Sequence, residues 1–277
     1  MLVVLSSENK ITVWADKKTK KEVVHPSGFF LSELMVPVQA LMNAGYTPVF
    51  ANPNGNEAIM DATSDKAVYF GGNEKHYRAL RTLCVKLGIC GDKTLGTKKL
   101  STLSQFRQEG LEHFVGLLVP GGHAPMEDLW KDPDLGHILR YFHSHKKPTA
   151  LICHGPIALL AALQTPEKFI EALQKGDVAQ AAETSKDWPY RNYVMTSFST
   201  KEEQQAEPGQ GNALGGFVRF YPDEALDSAG AKVLVRANPW KDNSVEHEEL
   251  LTAQNPFSDH SFASKLVKML DKAATKK

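Results

Sequence analysis

Apolar residues occur in two kinds of segment that alternate along the chain, short continuous runs and longer stretches with helical spacing. Residues 2–5 and 46–51 are short apolar runs and predict strands. Between them, residues 29–43 carry apolar side chains at every third or fourth position, which predicts a helix. An Asn-Pro-Asn-Gly turn at 52–55 closes the second strand. The order strand, helix, strand is how a parallel sheet begins.

The alternation continues along most of the chain. It predicts helices at 76–87, 135–145 and 255–273, and strands at 114–119, 149–152 and 232–235. We therefore expect an α/β fold, a doubly wound and mainly parallel sheet with helices on both faces in a flavodoxin-like sandwich. Residues 164–216 have weak periodicity and many polar residues around one core strand at 193–196. We expect a single domain over residues 1–277, with this segment as an insertion or lid.

Composition narrows the classes of partner. The 277 residues are 42% hydrophobic, and 32 basic residues balance 32 acidic ones, so the net charge favours neither nucleic acid nor an anionic membrane. No apolar run reaches membrane-spanning length or resembles a signal peptide, and we expect a cytoplasmic protein. Three cysteines are an odd number at irregular spacing, which is typical of a reducing compartment. We expect Cys84 and Cys90 to stay thiols.

The chemistry-bearing segment is Thr-Ala-Leu-Ile-Cys-His-Gly-Pro at 149–156, a buried strand that stops at Cys153 and His154 and restarts as a helix. A sharp turn there makes a nucleophile elbow that aims the thiol at a helix N-terminus, where unpaired N–H groups favour a thiolate. His154 is a candidate general base. The alternative is a buried structural cysteine whose neighbouring side chain points elsewhere.

A second segment, Pro-Gly-Gly-His at 120–123, follows the strand at 114–119, and ligands of open α/β sheets bind where such strands end. Gly121 and Gly122 can turn backbone N–H groups outward as an oxyanion hole, although a tight turn explains them as well. His123 is a candidate substrate contact or metal ligand. We find no set of partners for a metal, since the other histidines are scattered, and we expect neither a metal nor a cofactor.

Two blocks carry a family resemblance. Val-Pro-Gly-Gly-His-Ala-Pro-Met-Glu-Asp-Leu at 119–129 and Ala-Leu-Ile-Cys-His-Gly-Pro at 150–156 resemble the ThiJ/PfpI superfamily, whose fold is similar to that of class I glutamine amidotransferases. Together they resemble its heat-inducible chaperone and glutathione-independent glyoxalase III branch. The likeness runs from residue 2 to the last helix and is weakest over 164–216.

The resemblance implies two acidic partners for the cysteine. Glu33, in Ser-Gly-Phe-Phe-Leu-Ser-Glu-Leu at 27–34, occupies the place of a glutamate that hydrogen-bonds the nucleophile. Counting from Phe198 puts Glu203 at the place of the triad acid, with Glu202 one residue away. The structural alternatives are an exposed helix residue for Glu33 and two solvated glutamates that open a helix for the pair.

The resemblance also implies a function. A 2-oxoaldehyde such as methylglyoxal is attacked by Cys153, and a 2-hydroxy acid, D-lactate, is released, as in a D-lactate dehydratase or glyoxalase III-like lyase. The resemblance allows other roles: a stress-response holding chaperone for unfolded proteins, a redox sensor, or a cysteine amidase or peptidase. Dimers are common in the superfamily, so we expect a homodimer.

Overall fold

The computed structural model describes residues 1–91, 96–100, 102, 110–208 and 214–275. The strands are β1 Leu2–Val4, β2 Lys10–Trp14, β3 Glu22–Pro26, β4 Val49–Asn52, β5 Lys98–Lys99, β6 Leu117–Val119, β7 Thr149–Ile152, β8 Val194–Met195, β9 Lys232–Val233, β10 Ser244–His247 and β11 Leu250–Ala253. The α-helices are α1 Leu31–Asn43, α2 Glu74–Lys86, α3 Pro133–Ser144, α4 Pro166–Lys175, α5 Val178–Ser185, α6 Thr200–Ala206, α7 Pro222–Ser228 and α8 Asp259–Ala274.

Seven of these strands form the central sheet in the order β10-β11-β7-β6-β1-β4-β5. Every neighbouring pair is parallel except β10 with β11, which is antiparallel. The carboxyl ends of the parallel strands therefore meet at one edge, and their amino ends meet at the other. This confirms the predicted α/β class with a mainly parallel sheet.

Side chains of the sheet alternate between two apolar cores, one on each face. Along β1, Leu2 and Val4 enter one core and Val3 enters the other. Helices α1 and α8 pack against each other over the Val3 face, while α3 and a 3-10 helix at Gly155–Ala162 cover the Leu2 face. Both faces are thus covered by helices, which is why the central strands are apolar without interruption.

The predicted helix at 29–43 begins two residues later, at Leu31, and buries the expected stripe of apolar side chains apart from Met42, which is exposed. The weakly periodic region differs from its prediction in two ways. The strand at 193–196 pairs with β9 in a separate two-stranded sheet, and 164–216 contains the unpredicted helices α4 and α5. Strand β11, which pairs with β7, escaped prediction altogether.

The prediction that Cys84 and Cys90 stay thiols is also wrong. Cys84 lies near the end of α2, and the turn after that helix brings Cys90 within 5.4 Å, Cα to Cα, where the two form a disulfide. A six-residue separation across a helix end permits that approach. The correction removes the cysteine argument for a reducing compartment. None of the helices in the described ranges is long and apolar enough to cross a membrane.

Candidate active site

Cys153 follows the last residue of β7 and has a φ of 62°, in the left-handed region that side chains other than glycine rarely adopt. Its backbone is held on both sides, since its N–H donates to the carbonyl of Ala253 and its carbonyl accepts from Phe198 N–H, each at 2.8 Å. The predicted elbow is therefore present. Only 3% of Cys153 is exposed.

Glu33 is fully buried in the first turn of α1, and its Oε2 accepts a 2.9 Å hydrogen bond from the Gly121 N–H. The carboxyl lies beside the Cys153 thiol closely enough for each group to shift the pKa of the other. A Cβ at Gly121 would lie 2.7 Å from Glu33 Oε2 and 2.8 Å from Cys153 Cβ, so only glycine leaves room there. The exposed alternative for Glu33 is excluded.

The Gly121 hydrogen bond corrects one expectation. Because its N–H already donates to Glu33, Gly121 is not an oxyanion donor but a spacer that lets the carboxyl approach the thiol. Gly122 has a φ of 85°, and a Cβ there would lie 2.1 Å from the carbonyl oxygen of Gly28. The second glycine thus allows close backbone packing beside the site, and its N–H and that of His154 remain the candidate oxyanion donors.

Three further side chains form a cluster that contacts the thiol. His154 Nδ1 lies 3.2 Å from Cys153 Sγ, and His154 Nε2 lies 2.6 Å from Glu203 Oε2. His123 Nε2 lies 2.7 Å from the other oxygen of Glu203, and the two imidazole rings are 4.1 Å apart between centroids. Phe198 stacks on the opposite side of His154, at 4.4 Å. Cys153 therefore contacts His154, and His154 contacts Glu203, as in a catalytic triad.

The neighbouring Glu202 is also fully buried but has a different set of partners. It closes a capping box at the start of α6 with Ser199. Its carboxylate also accepts hydrogen bonds from the backbone of Trp240 and from the side chains of Gln254 and Asn255. All these donors are fixed in the fold, so Glu202 holds α6 in place. Glu203, and not Glu202, faces His154, and neither glutamate is solvated.

Burial and charge define the protonation state of the cluster. Burial alone would raise the pKa of Glu203, but the two histidines outweigh it and hold that pKa far below its usual range. Burial lowers the pKa of His123, yet the charge of Glu203 outweighs it and raises that pKa. Burial, then the charge of His123, lowers the pKa of His154. Two imidazolium rings 4.1 Å apart would repel by about 4 kcal/mol at an effective dielectric of 20. These shifts together favour a protonated His123, an ionised Glu203 and a neutral His154.

The expected thiolate is not the resting form. Burial raises the pKa of the Cys153 thiol well above its usual value, and the adjacent Glu33 raises it further, against the opposing effect of the His154 N–H. The segment after Cys153 is a 3-10 helix rather than an α-helix. Burial likewise raises the pKa of Glu33 well above its usual value, which favours the protonated carboxyl group. With Glu203 accepting from Nε2, the free Nδ1 of His154 is placed to take the thiol proton.

The same three side chains, His123, His154 and Glu203, offer ligand atoms that lie within 4.8 Å of one another and could hold a metal ion. Sequence reasoning found no such set because the residues are 31 and 49 positions apart. Two histidines and a carboxylate suit zinc in type. Hydrogen bonds of 2.6 and 2.7 Å already pair both histidines with the carboxylate, so the cluster is satisfied by protons alone.

Two residues near the thiol were missed from the sequence. Tyr69 is close enough for Glu33 and Cys153 to raise its pKa, after burial and Asp61, and its ring contacts Phe30 edge to face at 4.7 Å. Asp61 is buried and acts on His123 and Glu33. Asp61 caps one short 3-10 helix and Tyr69 lies in the next, and neither belongs to a motif, so no sequence signal could have found them.

Known proteins resemble this chain over the segments that carry the site. Residues 92–170, which include the Pro-Gly-Gly-His block and the elbow, match the DJ-1/PfpI family model. This match supports the resemblance of the chain to the DJ-1/PfpI superfamily. It is 25% identical over 250 residues to a glutathione-independent glyoxalase of Schizosaccharomyces pombe, covering 88% of this chain and 89% of the relative. A protein/nucleic acid deglycase of Staphylococcus aureus is 22% identical over 232 residues, covering 82% and 67%.

Solved structures share the fold. Glyoxalase III of Candida albicans superposes with a TM-score of 0.63 at 18% sequence identity, covering 97% of this chain and 95% of that one. A structure described as APC35852 superposes with a TM-score of 0.67 at 23% identity, covering 98% of both chains. At these identities the superpositions show the DJ-1/PfpI fold alone, so the roles of individual residues depend on the geometry above.

Proposed function

We propose that this DJ-1/PfpI protein hydrates 2-oxoaldehydes such as methylglyoxal to 2-hydroxy acids without glutathione. The observation that carries the proposal is the connected arrangement of Cys153, His154 and Glu203 beside the protonated Glu33. Relatives named as glyoxalases and deglycases support an enzyme of this general kind.

The first step is attack of the thiol on the aldehyde carbon. The bond from Cys153 Sγ to carbon forms while His154 Nδ1 takes the thiol proton, and the carbonyl electron pair moves to oxygen. Candidate donors to this oxygen are the N–H groups of Gly122 and His154. Since the resting group is a thiol, the reaction needs the base, and Glu203 stabilises the imidazolium that forms.

The second step moves a proton within the hemithioacetal. A base removes the proton on the former aldehyde carbon and a proton is delivered to the neighbouring carbon through an enediol, with Glu33 and His154 as the groups that exchange protons. The product is a thioester, which water hydrolyses to lactate with return of the proton to sulfur. One water is added overall, and no redox cofactor takes part.

Burial of the site favours small substrates over glycated macromolecules. Only 3% of Cys153 is exposed, and His123 is the one member of the cluster with appreciable exposure, 18% of its side chain. A small aldehyde fits such an opening more readily than a modified side chain on a folded protein. The homodimer, the cytoplasmic location, the single domain and the lid role of residues 164–216 stay predictions.

The test is turnover of a panel of 2-oxoaldehydes by purified protein without glutathione, with enantiomer-specific measurement of lactate. Cys153→Ala should lose all turnover, while a Cys84→Ala, Cys90→Ala double variant should retain it, because the disulfide lies away from the cluster. Circular dichroism of Cys153→Ala checks the fold. Wild-type inactivity on every aldehyde, or full activity of Cys153→Ala, contradicts the proposal. Faster release of aldehyde from glycated amino acids would favour a deglycase instead.

A further inference from the structure

His123 is an unusual neighbour for a catalytic pair, because it makes the same bond to Glu203 that His154 makes. The carboxylate gives one oxygen to each ring, at 2.7 Å and 2.6 Å. The two histidines differ in access, since 18% of the His123 side chain is exposed against 2% for His154. One histidine faces the thiol, and the other faces the solvent.

A single carboxylate charge balances a single imidazolium. Two rings whose centroids lie 4.1 Å apart repel strongly if both are charged, so the proton that one ring carries disfavours a proton on the other. The titratable groups that act on His123, His154 and Cys153 from the surrounding elements are Glu33, Asp61, Glu202 and Glu203. Of these, only Glu203 hydrogen-bonds both rings in the described part of the chain.

We propose that His123 is a positioning residue that keeps His154 in the neutral, proton-accepting form and gives up a proton to water each time His154 takes one from Cys153. The charge of the three-residue cluster then stays at zero throughout the reaction. Before attack the imidazolium is His123, and after attack it is His154. The inference deepens the proposed function and depends on the assignment of Cys153 as nucleophile.

The proton balance is simple. The thiol proton moves to His154 Nδ1, and the ring keeps its Nε2 proton on Glu203 Oε2. His123 keeps its Nε2 proton on Glu203 Oε1 and loses its Nδ1 proton to solvent water. When the thiol is regenerated, both transfers reverse. No proton has to cross the carboxylate, so Glu203 stays ionised.

The test is the pH dependence of alkylation of Cys153 by iodoacetamide, a readout that needs no substrate. Cys153 is the only free cysteine, because the other two form a disulfide. In His123→Gln the amide still donates to Glu203 but carries no charge, so the carboxylate acts on His154 alone and the pKa of His154 rises. The acid limb of the alkylation profile should move to higher pH by about one unit, and alkylation on that limb should slow about tenfold.

His143→Gln is the matched control. His143 also lies 2.7 Å from a buried glutamate, Glu249, and 24% of its side chain is exposed, but it is not among the groups that act on Cys153. Its alkylation profile should equal that of the wild type. His123→Asn, a second uncharged variant, should repeat the shift of His123→Gln, and circular dichroism checks that each variant is folded.

Three results would overturn the proposal. The first is a His123→Gln profile that coincides with the wild type, and the second is an equal shift in His143→Gln. The third is a wild-type profile that moves like His123→Gln after chelation, because the cluster would then hold a metal and not a mobile proton. Absence of aldehyde turnover in the wild type would contradict the proposed function, while the alkylation comparison would still test His123.

Discussion

Two buried glutamates on opposite edges of the sheet bind histidine in the same way but have different further partners. Glu203 lies near the carboxyl ends of β6 and β7, with His123 and His154 on its two oxygens. Glu249 directly precedes β11 at the amino edge and accepts from His143 at 2.7 Å. Each carboxylate is almost completely buried, and each histidine distance is short.

The difference lies in the remaining partners. Glu249 also accepts from Lys146 Nζ at 3.2 Å and from Tyr193 OH at 3.1 Å, and the pKa of Lys146 is raised chiefly by its hydrogen bond to that tyrosine. Its charge is balanced by a cation that stays protonated. Glu203 is balanced by an imidazolium, which exchanges its proton near neutral pH. We therefore expect a buried carboxylate paired with a histidine to be structural by itself, and a mobile proton beside the candidate nucleophile to make the site reactive.

The largest expected effect is a difference in enzymatic activity between a variant of Glu203 and a variant of Glu249. Glu203→Gln removes the charge that stabilises the His154 imidazolium, and kcat/KM for methylglyoxal should fall about 100-fold or more. Glu249→Gln should change it less than about threefold, because it lies outside the site. Steady-state kinetics at one pH measures both. Equal losses in the two variants would remove the distinction between a structural and a reactive cluster.

A smaller expected effect is a difference in the free energy of unfolding between a variant of Glu203 and a variant of Glu202. Glu202 accepts hydrogen bonds only from donors that the fold holds in place. In Glu202→Gln the amide N–H group would point at some of these donors and leave them unpaired, so the free energy of unfolding should fall by about 2 kcal/mol. Glu203→Gln should cost less, because a neutral His123 can accept from the new amide. Urea unfolding followed by fluorescence measures both, and a larger loss in Glu203→Gln would contradict this ranking.

The smallest effect concerns pH. His123 has a raised pKa in the folded protein, so its stabilisation is present below its unfolded pKa of 6.5 and is lost as pH rises through the folded value. His154 has a lowered pKa, so its protonation costs stability as pH falls below 6.5. The cluster should therefore contribute a stability maximum near pH 6.5, of about 1 kcal/mol. Urea unfolding from pH 5 to 8 should show it in the wild type and in Glu249→Gln but not in His123→Gln.

The sequence predicts the nucleophile better than its surroundings. An apolar strand that stops at Cys153 is a local sequence signal, and the structure has the elbow at that residue. Glu33 and Glu203 came from resemblance, and the structure brings both to the thiol and its histidine, although their catalytic roles stay predictions. The contact of His123 with Glu203 joins residues 80 positions apart, and no spacing encodes it.

The misses in the fold have a similar cause. Strand β11 is only four residues long and lies between Glu249 and Gln254, so its apolar run is too short to stand out. The strand is stabilised by its pairing with β7, which its own sequence does not indicate. The disulfide likewise depends on how the chain turns after α2, which the spacing of Cys84 and Cys90 leaves open.

The elbow is held by a residue that comes much later in the chain, because the Cys153 N–H donates to the carbonyl of Ala253. During synthesis the cysteine leaves the ribosome 100 residues before the strand residue that fixes its backbone, and 50 residues before Glu203. A nascent chain therefore carries this thiol without its base partner or its backbone anchor. The backbone of this candidate nucleophile is anchored only after residue 253 has been made and β11 has joined the sheet.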